Sequence, residues 1–322
     1  MSDAIRPKVS VLVLTYNHER YIASALEAAL AQNAAFEYEI LIADDCSTDR
    51  TGEIVRRFAT CHESKIRILP RPRNLGICRN FTNAYSSCTG EYVAVLEGDD
   101  VWHNPSKLTT LVEALDSRPD YSFAFHDVRL QFEDGREEKG CCPAHVRSTL
   151  RLRDFVVNNF VPNCSGLVFR NRLIDRFPDW FTSLSYYDWP LHVLHLLHGP
   201  ALYLNEPLST YRIHSGGAWH GAGTQYRLEK LLEIFDALNR HLNFEYDSIF
   251  RMNANYWRVQ TENETLRRQH VAASSPPPVE AEERPDEREY QRVVNSRSYR
   301  LARQVADTKQ WFARTLRFKA AA

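Results

Sequence analysis

The 322-residue chain has no long apolar run. Stretches such as Val9 to Leu14 and Tyr92 to Leu96 fall far short of the roughly 18 residues that cross a bilayer, so no membrane-spanning segment is expected. The opening residues, Met1 to Lys8, put no apolar stretch behind their charges. No secretory signal is expected, and cytoplasmic residence follows as the default. An excess of one charge is also missing: 40 Lys and Arg stand against 41 Asp and Glu, a net of −1, which leaves no global field to gather nucleic acid. The seven cysteines (46, 61, 78, 88, 141, 142 and 164) are odd in number and lack a framework spacing, which points to reduced thiols. Cys141 and Cys142 with His145 have no second ligand pair at tetrahedral zinc spacing. Glycine is absent from the loop Leu14 to Arg20, which excludes the Gly-x-Gly-x-x-Gly turn of dinucleotide binding. No Gly-x-x-x-x-Gly-Lys-Ser/Thr loop occurs either, which disfavours a P-loop phosphotransferase.

What is present is material for a packed α/β globule: 43 % hydrophobic and 11 % aromatic residues. The length exceeds the roughly 250 to 300 residues at which single cores stop growing, so one large domain plus an appendage is expected. From residue 8 to about 130 short β-branched or apolar runs alternate with helical stretches, the pattern of stacked βαβ units on a mostly parallel sheet. Strands are expected at Val9 to Leu14, Glu39 to Ala43, Lys65 to Leu69 and Glu91 to Leu96. The first helix is expected to start from Asn17 as N-cap, and a later one from Pro105. Tyr121 to His126 and Val128 to Phe132 read as two further strands. Ala201 to Leu204 and Thr210 to His214 read as two more, and the domain is expected to close near residue 220.

Acids recur just past the strand ends: Asp44-Asp45 after the second strand, and Glu97-Gly-Asp-Asp100 after the fourth. In open α/β sheets that is where ligands bind. Adjacent carboxylates such as Asp99 and Asp100 repel, and a hard divalent cation with phosphate oxygens in its shell relieves that repulsion. The plainer reading is that the pair caps the next helix or solvates a turn. Asp188, at the entrance of an apolar helix and between aromatic residues, is a candidate general base or a simple N-cap. His192, His195 and His198, spaced by three, read as a partly exposed helix side rather than a metal face.

Four segments taken together, Val9-Ser-Val-Leu-Val-Leu-Thr-Tyr-Asn17, Ile40-Leu-Ile-Ala-Asp-Asp-Cys-Ser-Thr-Asp49, Arg73-Asn-Leu-Gly76 and Gly90-Glu-Tyr-Val-Ala-Val-Leu-Glu-Gly-Asp-Asp100, resemble in order and spacing the nucleotide-binding half of family 2 glycosyltransferases of the GT-A fold. The resemblance covers roughly residues 7 to 215 and is strongest through residue 130. It implies an inverting transfer of sugar from a nucleotide-diphospho-sugar, UDP-linked by preference, to a hydroxyl of a glycan or lipid-linked acceptor in cell-surface polysaccharide synthesis, with Mg²⁺ or Mn²⁺ as cofactor. Carried over by position, Thr15, Tyr16 and Asn17 border the nucleoside, and Asp45 accepts from the imide N–H of the base. Asp44 is left to brace the loop. Asp100 carries the metal, and Asp99 contacts ribose or metal. Glu97 replaces the usual first Asp and either reaches the metal or structures the loop. Asp188 matches the base, and in Tyr211-Arg-Ile-His214 the resemblance implies His214 as a metal ligand and Arg212 as a diphosphate partner. Arg79, near the Asn74 to Gly76 loop, is a further diphosphate candidate. The rival readings are a sugar nucleotidyltransferase, disfavoured by the glycine-free first loop, and a silent binding module of the same fold.

The domain divides into residues 1–220 for the GT-A unit, 221–272 for a helical extension, 273–289 for a Pro-rich acidic linker, and 290–322 for a basic tail. That tail counts eight basic residues against Asp307, and its apolar side suits either an anionic membrane surface or a solvated or core-docking helix.

Overall fold

The computed structural model describes residues 6–140, 142 and 146–274. The acidic linker from residue 275, the basic tail and the Cys141 and His145 positions lie outside them. The first four strands form as expected: β1 (Val9–Thr15), β2 (Tyr38–Asp44), β3 (Ile66–Ile68) and β4 (Tyr92–Glu97). Between them run α1 (Ile22–Leu30), α2 (Thr51–Cys61) and α3 (Ile77–Tyr85). Then follow α4 (Lys107–Asp116), β5 (Phe123–Phe132), β6 (Glu137–Lys139), β7 (Thr149–Leu150), α5 (Leu152–Val157), β8 (Leu167–Arg170), α6 (Asp188–Leu196), β9 (Ala201–Ile213), α7 (Thr224–His241) and α8 (Asp247–Ser274).

The described strands make one mixed sheet in the order β3-β2-β1-β4-β8-β5-β9-β7, with β6 pairing on β5. β1 runs parallel to both β2 and β4, while β8 is antiparallel to β4 and β5. β1 is buried along its whole length, as a strand covered on both faces must be. Its odd residues Val9, Val11 and Val13 pack in the layer with α1 and α4, and Leu12 and Leu14 pack in the layer with α3 and α6. Register then sets the site. Thr15 pairs with Asp44, and Leu14 pairs with Glu97, so three parallel strands end level and deliver their acidic loops to one rim.

Several expectations change. Asn17 does not cap α1. It sits in the left-handed region (φ 57°), its N–H donates to Ser47 Oγ (2.9 Å) and its Oδ1 accepts from Thr48 N–H (2.8 Å). The short amide pins the first loop to the second, and the helix begins only at Ile22. α4 starts at Lys107, two residues after Pro105. The two strands expected at 121–132 are one, β5, and those at 201–214 are one, β9. The two run parallel along their lengths with irregularities beside Asp127, and a break in apolar pattern there marks a bulge rather than a turn. His192 and His195 are each 1 % exposed, inside the core rather than on a wet face. Only His198 of the three is exposed. The helices after residue 220 join the main core through Leu231, Ile234, Phe235, Leu238 and Phe250. No helix among the described residues is long and apolar enough to cross a membrane.

Candidate active site

At the strand rim a cleft of about 680 Å³ opens between the first loop, the Glu97 to Asp100 turn, the 158–164 segment, the start of α6 and the loop after β9. Thr15, Tyr16, Asp45, Asp99, Asp188 and His214 all line it, and so does Arg212.

Asp45 is 4 % exposed. Its two oxygens accept from the backbone N–H groups of Leu75 (2.8 Å) and Gly76 (2.9 Å), and Asn74 Nδ2 donates to its carbonyl (2.9 Å). Each carboxylate oxygen has more than one lone pair, so acceptor capacity remains. Asp44 takes the bracing role, accepting from Ser47 N–H and Oγ. Tyr16 is 43 % exposed at the rim, where its ring offers an open face.

Gly98 makes the turn after β4 fit. A Cβ there would lie 2.6 Å from Thr15 Oγ1 and 2.9 Å from His18 Nδ1, so only glycine lets the fourth-strand turn press on the first loop. The neighbouring acids then part company. Asp100 is 1 % exposed, with Oδ2 accepting from Asn163 Nδ2 and Ser165 Oγ (both 2.6 Å) and Oδ1 accepting from Arg212 N–H (3.1 Å). It does not line the cleft. Asp99 does, with Oδ2 3.2 Å from His214 Nε2 and 3.5 Å from His18 Nε2. Asp99 therefore faces the cleft while Asp100 is tied into the protein, whereas the resemblance puts the metal on Asp100 and leaves Asp99 to ribose or metal. The physical reason lies in the turn past the end of β4, where hydrogen bonds from Asn163, Ser165 and the Arg212 N–H draw the second carboxylate inward.

Charge in this region is unbalanced. Burial, then the carboxylates of Asp100, Asp99 and Asp188, push Glu97 well above the usual carboxylate range. Burial and the adjacent Asp99 raise Asp100 to about 8. Burial would raise Asp99 as well, but the hydrogen bond from His214 and the charge of His18 hold it below its ordinary value. Glu97 accepts from Tyr187 OH (3.3 Å). Arg212 supplies fixed positive charge: it donates to the carbonyl of Asp99 (3.2 Å) and to Ser24 Oγ (3.1 Å), and its guanidinium lies over Tyr21. Arg79 is exposed on α3 and does not line the cleft. His18, placed by the packed first loop, is the cation-capable group that sequence reasoning missed, and nothing in its spacing singles it out.

Asp188 opens α6, lines the cleft and accepts from Asn159 Nδ2 (3.0 Å). Burial raises its pKa, against the hydrogen bonds of its own and Trp189's backbone N–H and of Asn159. Tyr186 and Trp219 stand edge to face beside it, and Leu231, Ile234 and Trp257 of α7 and α8 close the wall.

Comparison with known proteins identifies the architecture. The family model described as glycosyl transferase family 2 matches residues 10–179, more than half of the chain. The chain belongs to glycosyl transferase family 2. Among relatives of this family, the uncharacterized protein Rv1520 of Mycobacterium tuberculosis is 36 % identical over 219 residues, 68 % of this chain and 62 % of that one. The chain thus spans about three fifths of the length of that curated relative. Among solved structures, mannosyltransferase PcManGT from Pyrobaculum calidifontis, in complex with GDP-Man and Mn²⁺, superposes with a TM-score of 0.56 at 19 % identity, covering 94 % of this chain and 85 % of that one. TarS of S. aureus (residues 1–349) in complex with UDP-GlcNAc gives 0.54 at 20 % identity and 79 % of each chain. Both share the GT-A fold expected from the first strands.

Family 2 glycosyltransferases are enzymes, and the donor set here bears on a metal. Among the described residues no three or more His, Cys, Asp or Glu gather to hold an ion. Asp99 with His214 offers one carboxylate and one imidazole at a wall crowded with acid. That partial shell fits a cation of the Mg²⁺ or Mn²⁺ kind, which keeps several positions for substrate phosphate and water.

Proposed function

We propose that the chain is an inverting, metal-dependent glycosyltransferase that moves sugar from a UDP-sugar to the hydroxyl of a glycan or lipid-linked acceptor. One observation carries the reading: a single cleft is lined by Asp45 and Tyr16, by the Asp99 and His214 pair, and by Asp188. The base of the nucleotide stacks at Tyr16 and donates its imide N–H to Asp45, whose carboxylate only accepts. Thr15 borders the nucleoside from the end of β1. Asn17 acts one step back, by fixing the loop. Asp99 and His214 would hold Mg²⁺ or Mn²⁺, which when bound neutralises charge on the leaving diphosphate. Arg212 adds a fixed cation there.

Asp188 takes the proton from the acceptor hydroxyl as that oxygen attacks the anomeric carbon. The raised pKa caused by burial suits a base. The helix N-terminus stabilises its charged form. A single displacement with inversion follows, and Tyr186 and Trp219 offer ring faces for the acceptor sugar. The GT-A neighbours bound to UDP-GlcNAc and GDP-Man support a nucleotide-sugar donor. A peripheral membrane contact through the basic tail and a role in cell-surface polysaccharide synthesis belong to this proposal as well.

The test is thermal-shift screening with UDP, dTDP, GDP and ADP, each with and without Mn²⁺, followed by nucleoside diphosphate release from the matching sugar nucleotides. Stabilisation by UDP that needs Mn²⁺ supports the reading. Stabilisation by GDP alone, or release that ignores a chelator, overturns the base or the metal assignment.

A further inference from the structure

Asp188 is held by a side chain that the family resemblance does not supply. Asn159, in the segment after α5, donates Nδ2–H to Asp188 Oδ2 at 3.0 Å, and its Oδ1 lies 3.0 Å from His192 Nδ1. His192 is one turn along α6 from Asp188 and is 1 % exposed, with Phe123 and Phe155 against its ring. Its Nε2 has no hydrogen-bond partner among the described residues.

With Asp188 ionised, as a base must be, these contacts select one arrangement of protons. An ionised carboxylate only accepts, so the NH₂ end of Asn159 must face Asp188 and its oxygen must face His192. The oxygen accepts only, so His192 must carry its proton on Nδ1, which leaves Nε2 as a bare lone pair in an aromatic pocket. A buried ring with no counter-ion stays neutral, and burial lowers this histidine to about 3. His126 and His195 carry the same cost of an unpartnered buried Nε2, but of the three only His192 turns its opposite nitrogen to a side-chain amide.

We propose that Asn159 is a positioning residue for the base, with His192 setting the direction of its amide, so that Asp188 presents one carboxylate oxygen to the acceptor hydroxyl while the other is held. This rests on Asp188 being the base, as proposed above. Asn159 touches no reacting atom in this scheme. It acts through Asp188, and His192 acts through Asn159. If the amide turned, its oxygen would face the carboxylate, two acceptors would repel, and Asp188 would swing from the cleft.

The test uses the full chain with Mn²⁺ and the sugar nucleotide that wild type turns over fastest from the screened panel. Asn159→Leu is expected to lower kcat by about 10- to 100-fold while UDP affinity, measured by calorimetry with Mn²⁺, stays within about twofold. His192 separates positioning from packing. His192→Asn keeps an N–H where Nδ1 was, and is expected to retain several-fold more turnover than His192→Leu, although Leu packs better among Phe123 and Phe155. A purely structural role predicts the opposite order and overturns the proposal. The Asp188→Asn background distinguishes the two levels. If Asp188→Asn keeps near-normal turnover, the base assignment falls. If it loses turnover while Asn159→Leu and both His192 variants do not, the positioning scheme alone falls. A readout without substrate is the ¹⁵N spectrum of histidine-labelled protein. The Nδ1–H form of His192 persisting down to about pH 5 supports the scheme, and the Nε2–H form refutes it.

Discussion

The earlier and later parts of the chain treat buried polar atoms differently. Up to residue 106, every buried side-chain nitrogen and oxygen among the described residues has a protein partner. All eight that lack one, including Lys107 Nζ, His126 Nε2, Asn163 Oδ1, His192 Nε2 and His195 Nε2, fall from residue 107 onward. Asp44, Asp45 and Asn17 are tied by backbone N–H groups from neighbouring loops. Such a satisfied network is rigid, which suits a platform that receives one fixed ligand. The later part instead sets Asp188 in a cleft with Tyr186, Trp189 and Trp219, with His192 buried behind Asn159. It is assembled from segments far apart in the chain, and its buried polar groups are paired only in part, as where Asn159 joins Asp188 to His192 but leaves His192 Nε2 without a partner among the described residues.

Mutation of each part breaks that contrast in a different way. Asp188→Asn is expected to lower kcat by roughly 10²- to 10⁴-fold with UDP binding in Mn²⁺ unchanged. Weaker UDP binding would merge the two parts into one functional unit. Asp99→Asn is expected to cost about 10²- to 10³-fold in turnover and, unlike Asp188→Asn, to remove the Mn²⁺ dependence of UDP stabilisation in a thermal shift.

Asp100→Ala tests the other member of the acidic pair. It strands Asn163, Ser165 and the Arg212 amide, and a loss of about 2 to 4 kcal/mol in urea unfolding is expected. A loss under about 0.5 kcal/mol would show that the buried network is not structural.

The histidines make the later part acid-sensitive. Burial lowers His126 and His192 to about 3 and His195 to about 4, below the unfolded value near 6.5. The unfolded chain therefore binds more protons between those limits. Stability is fully present above about pH 6.5 and is lost as pH falls toward about 3, by up to about 1.4 kcal/mol per pH unit for each histidine. Urea midpoints at about pH 7 and about pH 5 should show this fall, and His195→Phe should make it shallower. Arg79→Ala is the smallest effect: exposed and off the cleft, it should leave UDP affinity and stability within about 0.5 kcal/mol, whereas Arg212→Ala should weaken UDP binding.

The first four strands were legible because their signals are local. Apolar runs that are buried on both faces end in acid and loop residues, and each strand carries its own ligand-bearing loop. Asp188 and His214 rested instead on the resemblance to the family, and the structure places both on one cleft with Asp45. Asp99 and Asp100 could not be told apart, because which of two neighbours faces a cleft depends on the direction of one turn. Nor could His192 and His195 be placed. Spacing of three marks one side of a helix but does not say whether that side is wet, and here it packs on Phe123 and Phe169.

The sequence by itself determined the α/β class, the first four strands and the acids at their ends, which follow from periodicity and spacing, and it carried the family through the resemblance of its motifs. Tertiary structure alone decided that Asp99 meets His214 and His18, that Arg79 stays outside, that α7 and α8 complete the wall, and that Asn159 joins His192 to Asp188. These pairings bridge up to 115 residues. Contacts at such separations arise from sheet register and helix docking, which no local pattern encodes.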